Sequence, residues 1–366
     1  MFEVTVFDTK NDLTKLKTPW EELVVQNDVS YFLTWGWIET WLLELPKECR
    51  VYQVLGHQNG ELKIAFFIGL SKIKRSKFFN IRQLALNTAG HLEYDNIWIE
   101  YNNFLIRPGS KIDWETILEK IPFHWEEFYL PGLDLIDSPI RCAVDNTSPF
   151  EFITDVFARS PYVDLEKIRK AGNDYITLLS RNTRSQIRRS FRILEKLGIV
   201  ELEIPIDVKQ AFQIYQEMVD LHQITWETRG EAGVFSSRLF CRFHERLIRN
   251  RFDKGEIQLL RIHAGGKTIG CLYNFLWQGR VYFYQCGFSY DLGKYVQPGM
   301  VSHLMAVEYN ASQGQNSYDF LAGDARYKTS LATDYNEMGW ARIQRSSLKL
   351  NLEKKLHGLS ELFGGN

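Results

Sequence analysis

The segment from Ile257 to Leu331 constrains the fold more than any other part of this 366-residue sequence. It contains three apolar runs separated only by short glycine-bearing turns, which cover residues 257–263, 267–277 and 280–288. Such runs predict an antiparallel meander of three strands. A helix from about Gly299 to Ser312 and a strand over 317–321 are predicted to follow. This order of elements predicts a mixed α/β sheet.

The first half of the chain contains helices, a hairpin and further strands in a similar order. Its strands are predicted at 2–7, 50–56, 61–73, 81–86, 96–99 and 127–130, and its helices at 18–25, 35–42 and 111–121. Asn59-Gly60 is a strong hairpin signal between two of these strands. The second half is predicted to add a strand at 199–204, helices at 207–222 and 237–252, and a last strand at 340–346 before a C-terminal helix. The parallel between the halves suggests a structural duplication without a close sequence repeat.

The length of the chain predicts two domains, because a single hydrophobic core rarely organises so many residues. Residues 136–165 are punctuated by Pro, Ser and Asp and are predicted to be a connector. A basic helix is predicted from Leu178 to Leu197. We therefore expect an N-terminal lobe over 1–165, a connecting basic helix within 166–198 and a C-terminal lobe over 199–366.

The overall balance of charge gives no sign of a nucleic-acid-binding or membrane-surface protein. Lys and Arg number 44 and Asp and Glu number 45, so the formal net charge is −1, and no feature predicts DNA binding. The N-terminus lacks the pattern of a signal peptide, and no window approaches the roughly 20 apolar residues that a transmembrane segment needs. The five cysteines are scattered without a CxxC pair, which predicts a reducing compartment. Together these observations predict a cytoplasmic protein of bacterial type.

Residues 295–300 (YVQPGM) join the last strand of the meander to the next helix. Pro298 fixes the entry to the helix, and Gly299 lets a ligand approach the backbone of its first turn. Free N–H groups at that helix start favour a pyrophosphate or another anion. The alternative, an ordinary strand-to-helix turn, stays open.

Residues 318–328 (YDFLAGDARYK) lead a strand into a turn of small residues that carries charged side chains at its tip. Such a loop is a typical place for a functional site. Lys328 would stabilise the oxyanion of an acyl-transfer intermediate or hold a phosphate of the donor. The alternative is a salt bridge between Lys328 and Asp324. Together with the meander, these elements suit a chain that holds a thioester or similar acyl donor over a splayed sheet.

Residues 221–235 are predicted to form a polar, glycine-hinged loop between two helices, where it could cover a substrate. His222 lies at its start and is a candidate general base. The alternative is a histidine that packs against or caps the end of a helix, because one histidine without a partner is weak evidence for catalysis.

The predicted basic helix holds five arginines within twelve residues. They are Arg181, Arg184, Arg188, Arg189 and Arg192. Arginine stripes of this kind bind phosphates, here those of coenzyme A or of tRNA. The alternative is a solvated helix face.

Residues 90–96 (GHLEYDN) would place His91, Glu93 and Asp95 on one side of an extended segment. A metal site lacks a fourth clustered ligand, so no metal is predicted. The simpler functional interpretation is that one of these carboxylates accepts a proton from an amine. The sequence contains no GxSxG, HExxH, P-loop or Rossmann fingerprint, so hydrolase, kinase and dehydrogenase functions have no support.

Several of these segments, taken together, resemble one acyltransferase family. They are NTRSQIRRSFRILEKLG, LHQITWETRGEAGVFSS, GEIQLLRIHAGGKTIGCLYNFLWQGRVYFYQCGFS, PGM and YDFLAGDARYKTSL, within roughly 180–345. The ordered set is similar to the GNAT-like acyltransferases first noted beside bacterial cellulose-synthesis genes, which are similar in turn to the Fem-type aminoacyltransferases. TWGWIETW and LEYDN in the first half fit the same family more weakly.

The resemblance implies an α/β fold of two tandem GNAT-like lobes, with mixed, largely antiparallel sheets flanked by helices and a degenerate first lobe. It also implies transfer of an acyl group to an amine. Tyr327-Lys328 matches the position of a Tyr/Phe-Lys pair that contributes to catalysis in Fem-type enzymes. The usual GNAT pyrophosphate loop, Gln/Arg-x-x-Gly-x-Gly/Ala, is replaced by Tyr295-x-x-Pro298-Gly299-Met300, which leaves the donor open.

We therefore expect an N-acyltransferase that uses an acyl-CoA-type thioester as co-substrate, an amine as acceptor and no permanently bound cofactor. The alternatives are a Fem-type transferase that depends on aminoacyl-tRNA and a catalytically degenerate scaffold in polysaccharide assembly. The expected catalytic residues are Lys328, Tyr327, Asp324 and His222. The expected donor-binding residues are Pro298, Gly299, Tyr295, Arg184 and Arg188. The expected substrate-binding residues are Arg229, Tyr284, Gln285, Asp95 and Asp319.

Overall fold

A computed structural model describes residues 2–10, 12–75, 80–136, 138–140, 149–323, 325–345 and 350. Contacts divide the chain into two compact units. The first unit takes in the described residues of Met1–Trp35, Leu45–Phe157 and Met338–Asn366, and the second those of Gly36–Glu44 and Ala158–Glu337. Neither unit is one continuous stretch of sequence. The division into 1–165, 166–198 and 199–366 stays a prediction.

The strands follow one another along the chain as β1 (Phe2–Asp8), β2 (Val51–Gln58), β3 (Glu61–Lys74), β4 (Asn80–Leu86), β5 (Leu105–Ile106), β6 (Glu127–Asp134), β7 (Phe150–Asp164), β8 (Val200–Glu203), β9 (Ile257–Ala264), β10 (Lys267–Trp277), β11 (Arg280–Phe288), β12 (Ser317–Asp319) and β13 (Asp334–Arg345). The α-helices are α1 (Leu13–Val24), α2 (Trp35–Glu44), α3 (Trp114–Lys120), α4 (Leu165–Lys170), α5 (Arg181–Leu194), α6 (Val208–Thr228), α7 (Arg238–Arg251), α8 (Pro298–Ser312) and α9 (Arg326–Leu331). None of the helices in these described ranges is long and apolar enough to span a membrane.

The first unit is built on a sheet whose strands lie in the order β1-β2-β3-β4-β6-β13. All neighbours run antiparallel except β4 and β6, which pair in parallel. Asn59 and Gly60 form the β2–β3 turn with φ of 53° and 76°, as the Asn-Gly signal predicts. Its core contains Phe66, Trp125 and Phe128, all fully buried.

The second unit repeats this plan, with strands in the order β7-β12-β11-β10-β9-β8. The meander β9–β11 is antiparallel, and a crossover through α8 returns the chain to β12, which runs parallel to β11. Successive residues of β11 face opposite helices. An added Cβ on Gly287 would lie 2.3 Å from the Met218 carbonyl oxygen of α6, whereas the ring of Phe288 lies 3.2 Å from the ideal Cβ position of Gly299 in α8. The sheet is therefore covered by helices on both faces, and the predicted α/β fold is confirmed.

The last strand of each repeat does not pair within its own half of the sequence. β7, which ends the first half, pairs with β12 through Asp164, Val163 and Tyr162. β13, which ends the second half, pairs with β6 from Met338 to Gln344. Each unit thus completes its sheet with a strand from the other half of the chain. This explains the separate C-terminal segment of the first unit, whereas the separate segment of the second unit, Gly36–Glu44, belongs to α2.

Several predicted elements need correction. Residues 136–165 were expected to be a connector, but β7 occupies Phe150–Asp164. The predicted loop at 221–235 begins later, because α6 continues to Thr228. Residues 91–95 form turns rather than an extended segment, and 96–99 form no strand. The predicted C-terminal helix lies outside the described residues.

Candidate active site

The pairing of β11 changes along its length, in the part of the second unit where the acyl donor was expected. Tyr273 of β10 pairs with Gln285 and Asn274 pairs with Phe283, so Tyr284 is the extra residue of a β-bulge. On the other edge, β12 pairs with β11 only as far as Tyr282 and Asp319. Beyond this point, residues Phe283–Phe288 of β11 and the chain after Asp319 no longer pair with each other. We call this region "the splay". β-Bulges often occur next to active sites.

The chain turns sharply after β12, and buried polar contacts hold this turn. The Asp319 carboxylate accepts hydrogen bonds from the Ser160 hydroxyl (2.9 Å) and the Leu321 N–H (2.7 Å). Leu321 has a φ of 61°, a left-handed conformation that is uncommon for a branched residue and persists only when its surroundings impose it. Asp319, predicted to bind substrate, therefore has a clear structural task.

Lys328 reaches the same turn from α9. Its Nζ donates to the carbonyl oxygen of Ala322 at 2.8 Å and to that of Leu321 at 3.2 Å. The side chain is half-buried, so the ammonium group is held in a defined place by two backbone acceptors. Asp324, the alternative partner proposed from the sequence, lies outside the described residues. Its expected catalytic role therefore stays a prediction.

Tyr327 precedes Lys328 and packs against α8. Its ring stacks on His303 at 5.5 Å between centroids with 10° between the planes, and meets Phe320 edge-on. Burial raises the pKa of Tyr327 above its ordinary value, with Cys286 and Tyr290 adding to the rise. Tyr327 is therefore a neutral phenol at physiological pH.

Cys286 lies on β11 beside these groups. Burial raises the pKa of its thiol to about 12, and the nearby Lys328 ammonium only partly opposes this. Because the thiolate is the nucleophilic form of cysteine, a thiol with so high a pKa is not prepared to form an acyl-enzyme intermediate. The charge of Lys328 thus acts on the same small region that contains Cys286 and Tyr327.

His303 of α8 was not singled out in the sequence, yet it lies at the centre of this region. It is fully buried, its Nδ1 lies 3.1 Å from the Tyr318 hydroxyl, and its Nε2 has no hydrogen-bond partner among the described residues. Phe283 meets the ring edge-on at 4.4 Å. Burial, followed by the Lys328 charge, lowers the pKa of His303 to about 3. His303 therefore supports Tyr327 as a neutral ring.

His303 should make the stability of the protein depend on pH. The unfolded chain binds a proton to this histidine below about pH 6.5, whereas the folded protein does not do so until about pH 3. Its contribution is thus fully present above about pH 6.5, and the free energy of unfolding should fall by up to about 1.4 kcal/mol per pH unit as the pH drops towards 3. Urea unfolding at pH 7 and pH 5 should show a smaller loss in His303→Gln than in the unsubstituted protein. Equal losses would contradict the assignment.

The start of α8 lies at the end of the loop that follows β11. Pro298 is the first residue of the helix, and no side chain caps its N-terminus. The backbone N–H of Gln297 donates to the Ser190 hydroxyl of α5 at 3.0 Å. The Arg189 guanidinium lies 4.7 Å from the centroid of the Tyr295 ring. Helix α5 is therefore fastened to the α8 entry by two separate contacts.

The two arginines expected to bind the donor occupy other positions on α5. Arg184 is half-buried and donates to the Thr177 carbonyl at 3.0 Å. Arg188 is exposed. The structure places Arg189, rather than either of them, against the loop that enters α8. Their predicted role in donor binding stays a prediction.

His222 packs inside the second unit. It is 6% exposed, its Nδ1 lies 3.2 Å from the Gln223 side-chain oxygen, and Phe235 meets its ring edge-on at 4.8 Å. Burial lowers the pKa of His222. Arg229 follows α6 as its C-cap residue and lies beside Trp226. These contacts favour a packing role for His222, the alternative that the sequence left open.

The remaining predicted residues separate into two groups. Tyr284 and Gln285 are half-buried at the bulge of β11, and Tyr284 also contacts the buried His244. Asp95 belongs to the first unit, where its carboxylate accepts the N–H groups of Ala89 and His91 and burial raises its pKa to about 6. No cluster suited to a metal ion occurs among the described residues.

Comparison with known proteins agrees with this geometry. The family model described as an acetyltransferase (GNAT) domain matches residues 181–329. The crystal structure of FemX superposes with a TM-score of 0.57 at 10% identity, covering 92% of this chain and 96% of that chain. A comparison with curated proteins finds no match.

Two further solved structures share the fold. The C-terminal domain of a putative lysylphosphatidylglycerol synthetase from Agrobacterium fabrum gives a TM-score of 0.52 at 8% identity, over 95% of this chain and 97% of that chain. A tandem GNAT protein from the clavulanic acid biosynthesis pathway gives 0.50 at 9% identity, over 95% and 99%.

The family match identifies residues 181–329 as similar to a GNAT-type acetyltransferase domain, and the solved structures share the fold of the chain. The family resemblance stated from the sequence is thereby confirmed, while its association with cellulose synthesis stays a prediction.

Proposed function

We propose that the protein transfers an acyl group from an acyl-CoA-type thioester to an amine. The splay carries this proposal, because it adjoins two groups suited to the donor. Its Phe288 lies against Gly299 at the start of α8, and the Lys328 ammonium acts on its Cys286. A thioester laid along Phe283–Phe288 would place its phosphates near the N–H groups of Gly299 and Met300. Pro298 has no N–H, and the first turn of α8 has no side-chain cap, so these groups are suited to an anion.

The chemistry of the proposed reaction follows from the charges near the splay. The amine nitrogen attacks the thioester carbonyl, a C–N bond forms, and the carbonyl oxygen becomes negative in the tetrahedral intermediate. The Lys328 ammonium would stabilise that charge. The C–S bond then breaks, and we propose that the neutral Tyr327 phenol gives its proton to the departing sulfur. The phenolate takes up the proton that the attacking nitrogen loses, which restores the phenol and leaves the amide and a free thiol. Transfer is direct, since the Cys286 thiol is not activated.

A cytoplasmic location belongs to the same proposal. It is supported by the cysteines of the described residues, Cys49, Cys241, Cys271 and Cys286, which are all free thiols.

The test is calorimetric titration with acetyl-CoA and decanoyl-CoA, using Arg189→Ala and the exposed Arg192→Ala of the same helix as a matched pair. Both variants remove one positive charge from α5, but only Arg189 contacts Tyr295 at the α8 entry. We expect Arg189→Ala to weaken thioester binding by about tenfold, the loss of roughly one charge-assisted contact. Arg192→Ala should bind both thioesters almost as the unsubstituted protein does. The proposal fails if neither thioester binds.

A second candidate is a Fem-type transferase that takes its acyl group from aminoacyl-tRNA. The observation in its favour is the arginine-rich helix α5, which could contact a phosphate backbone. Binding of tRNA without any binding of thioesters in the same titrations would favour this candidate.

A further inference from the structure

Helix α5 presents one apolar face and one strongly basic face. Its buried residues are Thr183, Ile187, Ser190 and Leu194. On the opposite side, the spacing of three and four residues aligns Arg181, Arg184, Arg188 and Arg192 in one stripe. Arg189 lies next to this stripe. The helix itself contains no acidic residue.

These arginines are not engaged in ion pairs within the part of the chain that the structure describes. The contacts of their side chains are with backbone carbonyls, as for Arg184 and Arg192, or with the Tyr295 ring, as for Arg189. The protein as a whole has a net charge of −1. The stripe is therefore a local excess of positive charge that can attract an anionic partner.

The length of the stripe exceeds what coenzyme A requires. Arg181 and Arg192 are eleven positions apart, which corresponds to about 16 Å along a helix at roughly 1.5 Å per residue. A pyrophosphate at the start of α8 meets only one end of such a surface. The stripe matches an extended anionic surface, such as the acidic helix of a protein.

Apolar side chains border the stripe at both ends. Leu178, just before α5, is 45% exposed, and Leu197, just after it, is 40% exposed. Basic residues flanked by exposed leucines match a protein surface that combines carboxylates with apolar side chains. A nucleic-acid backbone would offer nothing apolar to these leucines.

The stripe also adjoins the proposed donor site. Ser190 and Arg189, on the same helix, contact Gln297 and Tyr295 at the entry to α8. A partner on the stripe would thus stand beside the place where the phosphate of the donor is proposed to bind.

We infer that α5 docks an acidic acyl carrier protein, which delivers the acyl group as a phosphopantetheine thioester. The inference rests on the proposed function and names the carrier of the donor. The pantetheine arm would enter the splay at the start of α8, past Arg189. The amine takes the acyl group as the C–S bond breaks, and the carrier leaves with its free thiol.

The experiment measures the binding of three probes at low and moderate salt. They are a purified bacterial acyl carrier protein loaded with a decanoyl group, decanoyl-CoA, and bulk tRNA. The variant Arg181→Glu/Arg192→Glu reverses both ends of the stripe and leaves Arg189 in place. The matched control, Lys209→Glu/Arg238→Glu, makes the same change in net charge at exposed positions on α6 and α7.

We expect the stripe variant to lose at least about tenfold in affinity for the carrier, or roughly 1.4 kcal/mol, and to bind decanoyl-CoA as before. The control should bind the carrier like the unsubstituted protein. Carrier affinity should also fall with salt. Unchanged binding of decanoyl-CoA shows that the stripe variant is folded.

Three results would overturn the inference. They are carrier binding no tighter than that of decanoyl-CoA, carrier binding unaffected by the stripe variant, and tRNA binding that is tighter than carrier binding and lost in that variant. Each of these leaves the proposed function standing if decanoyl-CoA binds. If neither decanoyl-CoA nor the decanoyl-loaded carrier protein binds, the proposed function itself is rejected.

Discussion

Replacing Lys328 with alanine is expected to reduce turnover by about 10²–10³, the usual cost of losing one group that stabilises an oxyanion. The ammonium is held by the carbonyls of Leu321 and Ala322, so it is already in position when the charge develops. The measurement is steady-state release of free thiol from the thioester in the presence of a mixture of amines, beside a thermal unfolding curve.

The same contacts mean that Lys328 also helps to hold the turn after β12. Its loss removes two hydrogen bonds to backbone carbonyls at a half-buried site, for which we expect about 1–3 kcal/mol of lost stability and a folded protein. Lys328→Arg should restore part of the activity, because a guanidinium keeps the charge but not the compact shape of an ammonium.

Arg326→Ala is the matched control for Lys328. Arg326 belongs to the same short helix and is exposed, so its removal takes away a nearby charge without touching the turn. Turnover should change little in this variant. Near-normal turnover in Lys328→Ala would rule out a catalytic role, and a collapsed unfolding transition would leave Lys328 a purely structural residue.

Replacing Gly287 with alanine is expected to destabilise the second unit by about 3 kcal/mol or more, at the upper end of overpacking costs. The added Cβ would stand 2.3 Å from the backbone oxygen of Met218 and 2.8 Å from the Leu221 Cβ. A helical carbonyl cannot rotate away, so α6 must move off the sheet. Urea unfolding at neutral pH measures the loss.

Gly299→Ala provides the comparison for Gly287→Ala. The three atoms nearest to its added Cβ all belong to the Phe288 ring, the first at 3.2 Å, and alanine favours the helix by up to about 1 kcal/mol over glycine. We therefore expect its stability to stay close to that of the unsubstituted protein. Equal stability in Gly287→Ala would show that α6 does not pack as tightly on β11 as the structure indicates.

Local sequence signals predicted the second unit well. β9, β10 and β11 lie within about one residue of the predicted strands, and α8 begins at Pro298, because short glycine turns and a proline mark their ends. β7 was missed, since Ser160 and Pro161 interrupt its pattern and its pairing partner lies far along the chain.

The candidate site residues also divide into those that the sequence could identify and those that it could not. Tyr327, Lys328 and Gly299 could be selected from turns and from the family resemblance. His303 gave no signal, because a single histidine on an apolar helix looks like part of the core. Arg189 could not be told from its neighbours, since its contact with Tyr295 joins segments more than a hundred positions apart.

The sequence by itself determined the order of strands and helices, the two-part plan and the class of reaction to expect, because these depend on local periodicity, turn residues and recognisable segments. Only the tertiary structure decided that β13 completes the sheet beside β6, that Ser190 fastens α5 to the start of α8, and that Lys328 is held by the turn after Asp319. These are contacts between distant residues, and they form only when the whole chain packs.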